Sequence, residues 1–153
     1  MASVERSIEV SVPVSTAYNQ WTQFEDLPRF MEGIREVRQL DDHLLYWRAE
    51  IAGQQKEWQA RIVQQIPDQR VEWISEDGAR NAGEVTFEPV WGGTTLVTLR
   101  MEYEPEDIVE TLGDKLGFVS RRVEGDLQRF KDFIESRGVE TGAWRGTIGR
   151  RDQ

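Results

Sequence analysis

The chain has no cysteine and a single histidine among its 153 residues. Without thiols there is no disulfide, no thiolate metal site and no cysteine nucleophile. One histidine, His43, cannot build a multi-histidine metal centre, and its setting in Asp41-Asp42-His43 marks a strand-to-strand turn. Basic residues are in the minority, 19 Lys and Arg against 28 Asp and Glu, which leaves a net charge of −9. That balance disfavours phosphate backbones and anionic lipid surfaces, so neither a nucleic-acid partner nor stable membrane insertion is expected. No apolar run reaches bilayer-spanning length, and the opening MASVERSIEV lacks a basic-then-apolar signal pattern; a cytoplasmic protein is expected. No metal-binding or cofactor motif stands out, so neither is expected, and nothing in the sequence specifies an oligomeric state.

What is present is periodicity. Hydrophobic residues make up 38% and charged residues 31%, a globular balance, and the length suits one domain with one core. Ser3 to Val12 alternates strictly, with Val4, Ile8, Val10 and Val12 on one side, and Pro13 ends this strand. Ser15 is placed to cap a short amphipathic helix containing Ala17, Tyr18 and Trp21. A second brief helical piece, EDLPRFME, brings Leu27, Phe30 and Met31 together. From Gly33 to Tyr103, turn signals recur about every dozen residues, at Asp41-Asp42, Gly53-Gln54, Pro67-Asp68, Asp77-Gly78 and Gly92-Gly93. The six intervening segments predict an antiparallel meander. Glu106 to Arg137 predicts a long helix, with Leu116, Val123, Leu127, Phe130 and Ile134 in one apolar sector and Phe118 off it. Gly138 stops that helix. The boundaries are then one domain over residues 1–138 and a flexible tail over 139–153, whose Arg145, Arg150 and Arg151 form its basic patch.

Three tryptophans give the sheet its character. A tight turn at Pro67-Asp68 sets Ile62 opposite Trp73, and one at Gly53-Gln54 sets Trp58 opposite Ala49, diagonal to Trp47. Trp47, Trp58 and Trp73 then share one face with Leu45, Ile51, Ile62 and Val71, opposite the helix stripe. Singly, each indole reads as a core residue. As a cluster beside the small Ala49 and Ala60 they read as an aromatic wall along a void, because a curved sheet and a long helix cannot meet flush along their length. Arg6, Gln64 and Tyr103 share the inward parity of their strands and Asp126 the apolar sector of the helix, making them candidate polar anchors. Each also has a structural reading: Arg6 snorkelling at the sheet end, Tyr103 capping the core, Asp126 paired four residues after Arg122. Gly113, Gly117 and Gly125 each cost about 1 kcal/mol in a helix interior. A break near Gly113 to Gly117 would free residues 106–117 as a flap; the alternative is a kinked, static helix.

Three stretches carry a resemblance: EDLPRFMEGIREVRQLD; ARNAGEVTFEPVWGGTTLVTLRMEYEP, with Gly-x-Val-x-Phe, paired glycines and a closing Tyr-x-Pro; and DLQRFKDFIESRG. Together, from Val4 to about Gly138, they resemble the polyketide cyclase/dehydrase branch of the START-like (SRPBCC) superfamily, which includes proteins of the coenzyme Q-binding type. The resemblance implies an α+β helix-grip fold (START/Bet v 1-like), with a seven-stranded curved antiparallel sheet, two short helices and a long C-terminal helix around an apolar cavity. Its shared positions are structural: Gly83, Val85, Phe87, Gly92 and Gly93 shape strands and a turn, and Phe130 and Ile134 anchor the helix. No catalytic residue is carried over.

The function expected is binding of a hydrophobic or aromatic small molecule (a lipid, quinone or polyketide-like compound). The ligand-binding set is Trp47, Trp58, Trp73, Phe87, Met101, Tyr103, Leu116 and Val123, with Arg6, Gln64 and Asp126 as polar members. The alternative is a polyketide cyclase/dehydrase-type enzyme in which Arg6, Tyr103 or Asp126 moves protons. A third reading is an interaction subunit with an unused cavity.

Overall fold

The computed structural model describes residues 2–51, 53–78, 80–104 and 115–149. The predicted elements form in the predicted order. They are β1 (Ala2–Val10), α1 (Val14–Trp21), a 3-10 segment (Phe24–Arg29), β2 (Ile34–Gln39), β3 (Leu44–Ile51), β4 (Gln54–Ile66), β5 (Arg70–Ser75), β6 (Asn81–Val90), β7 (Thr94–Tyr103) and α2 (Lys115–Arg137). The seven strands make one antiparallel sheet in the order β1-β7-β6-β5-β4-β3-β2. The six strands from β2 to β7 are a pure meander, and β1 closes the far edge against β7. Alternation explains the faces: in β7, Thr95, Val97 and Leu99 are buried while their neighbours are not. The curved sheet grips α2, and this is a helix-grip α+β fold of the START-like type.

Several local expectations are corrected. Pro13, not Ser15, precedes the first helical residue, and it caps without any side-chain hydrogen bond. Proline's fixed φ suits that approach, and Ser15 falls inside the first turn. Trp47 stands directly opposite Trp58, not diagonal to it, because Ile51 pairs with Gln54 and the connection lies one residue earlier than Gly53-Gln54. The register moves by two residues, so both indoles keep the expected face. Ile62 does oppose Trp73, by a different route: a longer connection at Pro67–Gln69, with Asp68 at φ 63, is offset by a bulge between Ile62 and Gln64. The bulge reverses the parity beyond it. Gln65 is thereby the buried residue, at 1% exposure, and Gln64 lies outside, accepting a hydrogen bond from Arg70 at 3.2 Å.

The C-terminal half of α2 carries the firm contact with the rest of the molecule. Val123, Leu127, Phe130 and Ile134, spaced four, three and four, are all buried. Phe130 lies 5.1 Å from Phe30 and 5.5 Å from Trp21, ring centre to ring centre, and Trp21 and Phe30 are themselves 5.5 Å apart. This triad fastens α2 to α1 and the 3-10 segment. Residues 106–114 of the expected helix, including Gly113, lie outside the described residues, and with them most of the expected flap.

Residues 139–149 are not a loose tail. Gln65 and Ile148 exchange two backbone hydrogen bonds, 2.8 and 2.9 Å, which adds a short bridge to β4. Arg145 reaches Asn19 at 2.6 Å and Asp68 at 2.9 Å and lies over the Tyr18 ring. Thr141 donates to Asp26 at 2.6 Å. The apolar Ile148, 6% exposed, gives the segment its own core contact, which charge counting along the tail does not show. Ile148→Ala is expected to destabilise the fold by about 2 kcal/mol and Arg145→Ala by at most about 1 kcal/mol. Urea unfolding of the two variants tests this; unchanged midpoints would mean that the segment does not hold the fold.

Candidate functional site

Away from the aromatic triad, the N-terminal part of α2 is tied to the edge strand β1 through Arg6 but stands off the inner strands of the sheet. Between them lies a cavity of about 150 Å³ with an almost wholly apolar lining. Its floor is the sheet: Trp47 and Ala49 of β3, Trp58 of β4, Trp73 of β5, and Leu99, Met101 and Tyr103 of β7. Its roof is α2 from Phe118 to Asp126, and one wall is the Met31–Gly33 loop. Trp47 and Trp58 stack at 6.0 Å with planes 6° apart, and Trp47 and Trp73 at 6.2 Å and 24°. The indoles thus form one continuous slab across three strands. Ala49 leaves depth beside it.

Glycine 83 fixes the slab. It pairs with Trp73 across β5 and β6, and a Cβ there would come within 2.3 Å of the indole. Trp73 therefore lies flat over a missing side chain, which gives a physical reason for the first residue of Gly-x-Val-x-Phe. The indole N–H groups of Trp47 and Trp58 are buried with no hydrogen-bond partner among the described groups. That arrangement costs stability instead of adding it.

Asp126 is the buried carboxylate of the site, 5% exposed. Its Oδ1 accepts from the backbone N–H of Glu32 at 3.0 Å and from the Arg129 guanidinium. Burial pushes its pKa up, to about 6, and outweighs the hydrogen bonds from Arg129 and Glu32 and the charge of Arg122, all of which pull it down. The Asp126 carboxyl therefore exchanges its proton near neutral pH inside an apolar chamber. The expected partner four residues earlier, Arg122, turns instead to Glu32 and lies over the Phe118 ring at 5.0 Å. Among the described residues no cluster of side chains is arranged to hold a metal ion.

Of the residues read from sequence, the structure brings Trp47, Trp58, Trp73, Met101, Tyr103, Val123 and Asp126 to the cavity. Three lie elsewhere. Phe87 is buried against Tyr18, 5.5 Å away edge to face, behind the triad side of the core. Gln64 is turned out by the bulge. Arg6 has the inward parity, but it sits on the edge strand and reaches around to Glu124 at 2.8 Å and Ser120 at 2.6 Å on α2. The side chain of Leu116 lies outside the described residues. Sequence reasoning missed Ile34, Phe118, Arg80 and Asn81, which also line the space. Phe118 carried a signal, a large aromatic off the helix stripe; the other three sit at strand ends, where parity says little about direction.

Two outcomes follow from this geometry. Gly83→Ala should destabilise the protein by about 1–3 kcal/mol through overpacking and change the tryptophan emission as Trp73 is displaced. Normal stability with unaltered emission would mean that the contact is not tight. Asp126 has its folded pKa above the unfolded one, so its stabilising contribution is complete below about pH 4 and is lost as pH rises through about 6. Asp126→Asn should therefore raise stability above pH 7, by on the order of 1–2 kcal/mol, and confer little advantage at pH 4. Denaturant melts at the two pH values check the sign.

A family model described as polyketide cyclase / dehydrase and lipid transport matches residues 10–132. An uncharacterized 17.2 kDa protein of Streptomyces lincolnensis, from the melC2-rnhH intergenic region, is 52% identical over 149 residues, covering 97% of this chain and 99% of the relative. Among solved structures, a Deinococcus radiodurans protein superposes with a TM-score of 0.72 at 28% identity, covering 89% of this chain and 99% of its own. The Zhui aromatase/cyclase from Streptomyces sp. R1128 gives 0.73 at 14% identity (94% and 99% covered), and a START superfamily protein from Mycobacterium smegmatis gives 0.67 at 16% (88% and 95% covered). The last two likenesses are of fold. With the match spanning most of its length, the chain belongs to the polyketide cyclase/dehydrase and lipid transport family.

Proposed function

We propose that this protein binds a small, flat, largely apolar molecule, of the lipid, quinone or polyketide-like class, in the cavity under α2. The observation that carries this reading is the slab of three stacked indoles facing an apolar cavity of about 150 Å³. A cavity of that size accepts roughly one or two fused rings. Such a ligand would bury about 200–300 Å² of apolar surface, worth about 5–7 kcal/mol. That corresponds to dissociation constants from micromolar to a few hundred micromolar. Asp126 and Tyr103 supply the polar end of the site, Asp126 as donor or acceptor according to pH.

One observation favours a second reading. A buried carboxyl that titrates near pH 6 beside an apolar chamber suits general acid or base work, and the family description includes cyclases and dehydrases. In that case Asp126, with Tyr103, moves protons on a chain held against the indoles. Arg6 has no part in it, because it faces the outer flank of α2.

Quenching of tryptophan emission by menadione and 2-naphthol tests the binding reading. Saturable quenching is expected, and Ala49→Leu, which fills the floor, should weaken it at least tenfold. If neither probe quenches saturably, or if Ala49→Leu binds as the parent does, the ligand lies elsewhere. Asp126→Asn separates the readings: a binder keeps probe affinity within a few-fold, whereas an enzyme loses turnover of a polyketide-type substrate while still binding it.

A further inference from the structure

The cavity wall is not equally firm all round. The floor strands β3, β4, β5 and β7 are hydrogen-bonded on both sides, and the described roof is helix. Besides Arg80 and Glu104, which a 3.2 Å backbone hydrogen bond joins at the ends of β6 and β7, the described wall without regular structure is the Met31–Gly33 loop. Its two ends are tied in: Met31 N–H donates to Leu27 O at 2.8 Å, and Gly33 O accepts from Glu50 N–H at 2.7 Å. Between those ties, the bonds of Glu32's peptide groups run to side chains of α2. Glu32 N–H donates to Asp126 at 3.0 Å, and Glu32 O accepts from Arg122 at 2.7 Å. Two residues earlier, Phe30 O accepts from Arg129 Nε at 3.0 Å. Residues 122, 126 and 129 stand four and three apart and so share one face of the helix. Both guanidinium groups also face the Glu32 carboxylate, each at 3.7 Å.

Gly33 completes the arrangement. Its φ is 89°, and a Cβ at this position would lie 2.2 Å from Arg122 Nη1, so a side chain there would force the guanidinium away from the loop. The Glu32 side chain is mostly exposed and the two guanidinium groups are a quarter to two-fifths exposed, so water competes for their bonds. The buried member is Asp126.

We propose that Arg122, Asp126 and Arg129 form a clasp on the Met31–Gly33 loop, and that release of this clasp opens a side port through which the cavity exchanges its ligand. The loop swings between its ties at Leu27 and Glu50, while the indole slab and the aromatic triad stay in place. The port goes beyond the binding site itself, though its use for ligand exchange rests on the cavity being a binding site.

Arg129→Gln is the informative variant, because Arg129 holds Phe30 O without lining the cavity. Arg137→Gln, the same change of charge at the far end of α2, is its control. Two readouts on the full chain are needed: amide hydrogen exchange at Glu32, and stopped-flow tryptophan quenching by 2-naphthol. Arg129→Gln is expected to speed Glu32 exchange at least tenfold and to raise the association and dissociation rates of 2-naphthol together, several-fold each. Arg137→Gln should leave all three as in the parent. Arg129→Lys, which keeps the charge but loses the guanidinium geometry, should fall between, and it serves if the glutamine variant folds poorly. Unchanged exchange at Glu32 would overturn the clasp; faster exchange with unchanged probe rates would overturn the port. If 2-naphthol does not bind the parent at all, the binding reading and the port fail together, while the exchange data still decide the clasp.

Discussion

A straight helix touches a curved sheet along only part of its length, and the rest of this molecule follows from where that contact falls. Here the firm hold falls at the C-terminal half of α2, where Lys131 bonds Glu9 of β1, Phe130 meets Trp21 of α1 and Phe30 beside the 3-10 segment, and Leu127 and Ile134 are enclosed. Fastening the helix at that end holds its other described part, from Phe118 to Asp126, above the sheet. The gap beneath is lined by large flat rings and by Ala49, a combination that does not close it. Close packing on one side of α2 and open space on the other are two consequences of one geometric mismatch.

The cavity carries part of this structure's cost. Asp126 is a carboxylate kept from water, and two indole N–H groups are buried without partners among the described residues. Each works against folding and flanks the apolar chamber, while others, such as the Trp21 indole N–H and the Gln65 amide, lie in the packed part of the molecule. Unfavourable groups gathered around a cavity are what a binding or reactive site requires, because a site must retain polarity and space that a core would eliminate. Membership in a family described by cyclases, dehydrases and lipid transport agrees with such a chamber. The same carboxylate also grips the loop beside it.

Residues 139–149 extend past the family match, which ends at residue 132. They cross α1 and bridge to β4 at Gln65, the residue that the bulge turned inward. The bulge therefore has two effects: it removes Gln64 from the inner face, and it offers the Gln65 backbone to the returning segment. The result is a sealed end opposite the cavity, where Arg145 joins Asp68 and covers Tyr18.

How much of this was legible in the residues depends on the range of the interaction. Alternation every two residues and the helical stripe are local patterns, and they fixed the order of elements, the face carrying Trp47, Trp58 and Trp73, and the placement of Asp126 and Val123 on the cavity side of the helix. The Trp47–Trp58 register was one pairing step out, yet the face survived, because pairing steps of two preserve parity. A bulge inserts a single residue and does not preserve it, so Gln64 was misplaced by an event that no local pattern announces. Arg6 had the right parity but lay on an edge strand, where a long side chain can turn outward to α2. Phe87 had the right parity too; which half of the helix would press on it was not encoded in its own neighbourhood. The sequence by itself determined which residues face inward. Only the tertiary structure decided where inward is filled and where it is hollow, since that depends on the curvature of seven strands against one rod, a property that none of them has alone.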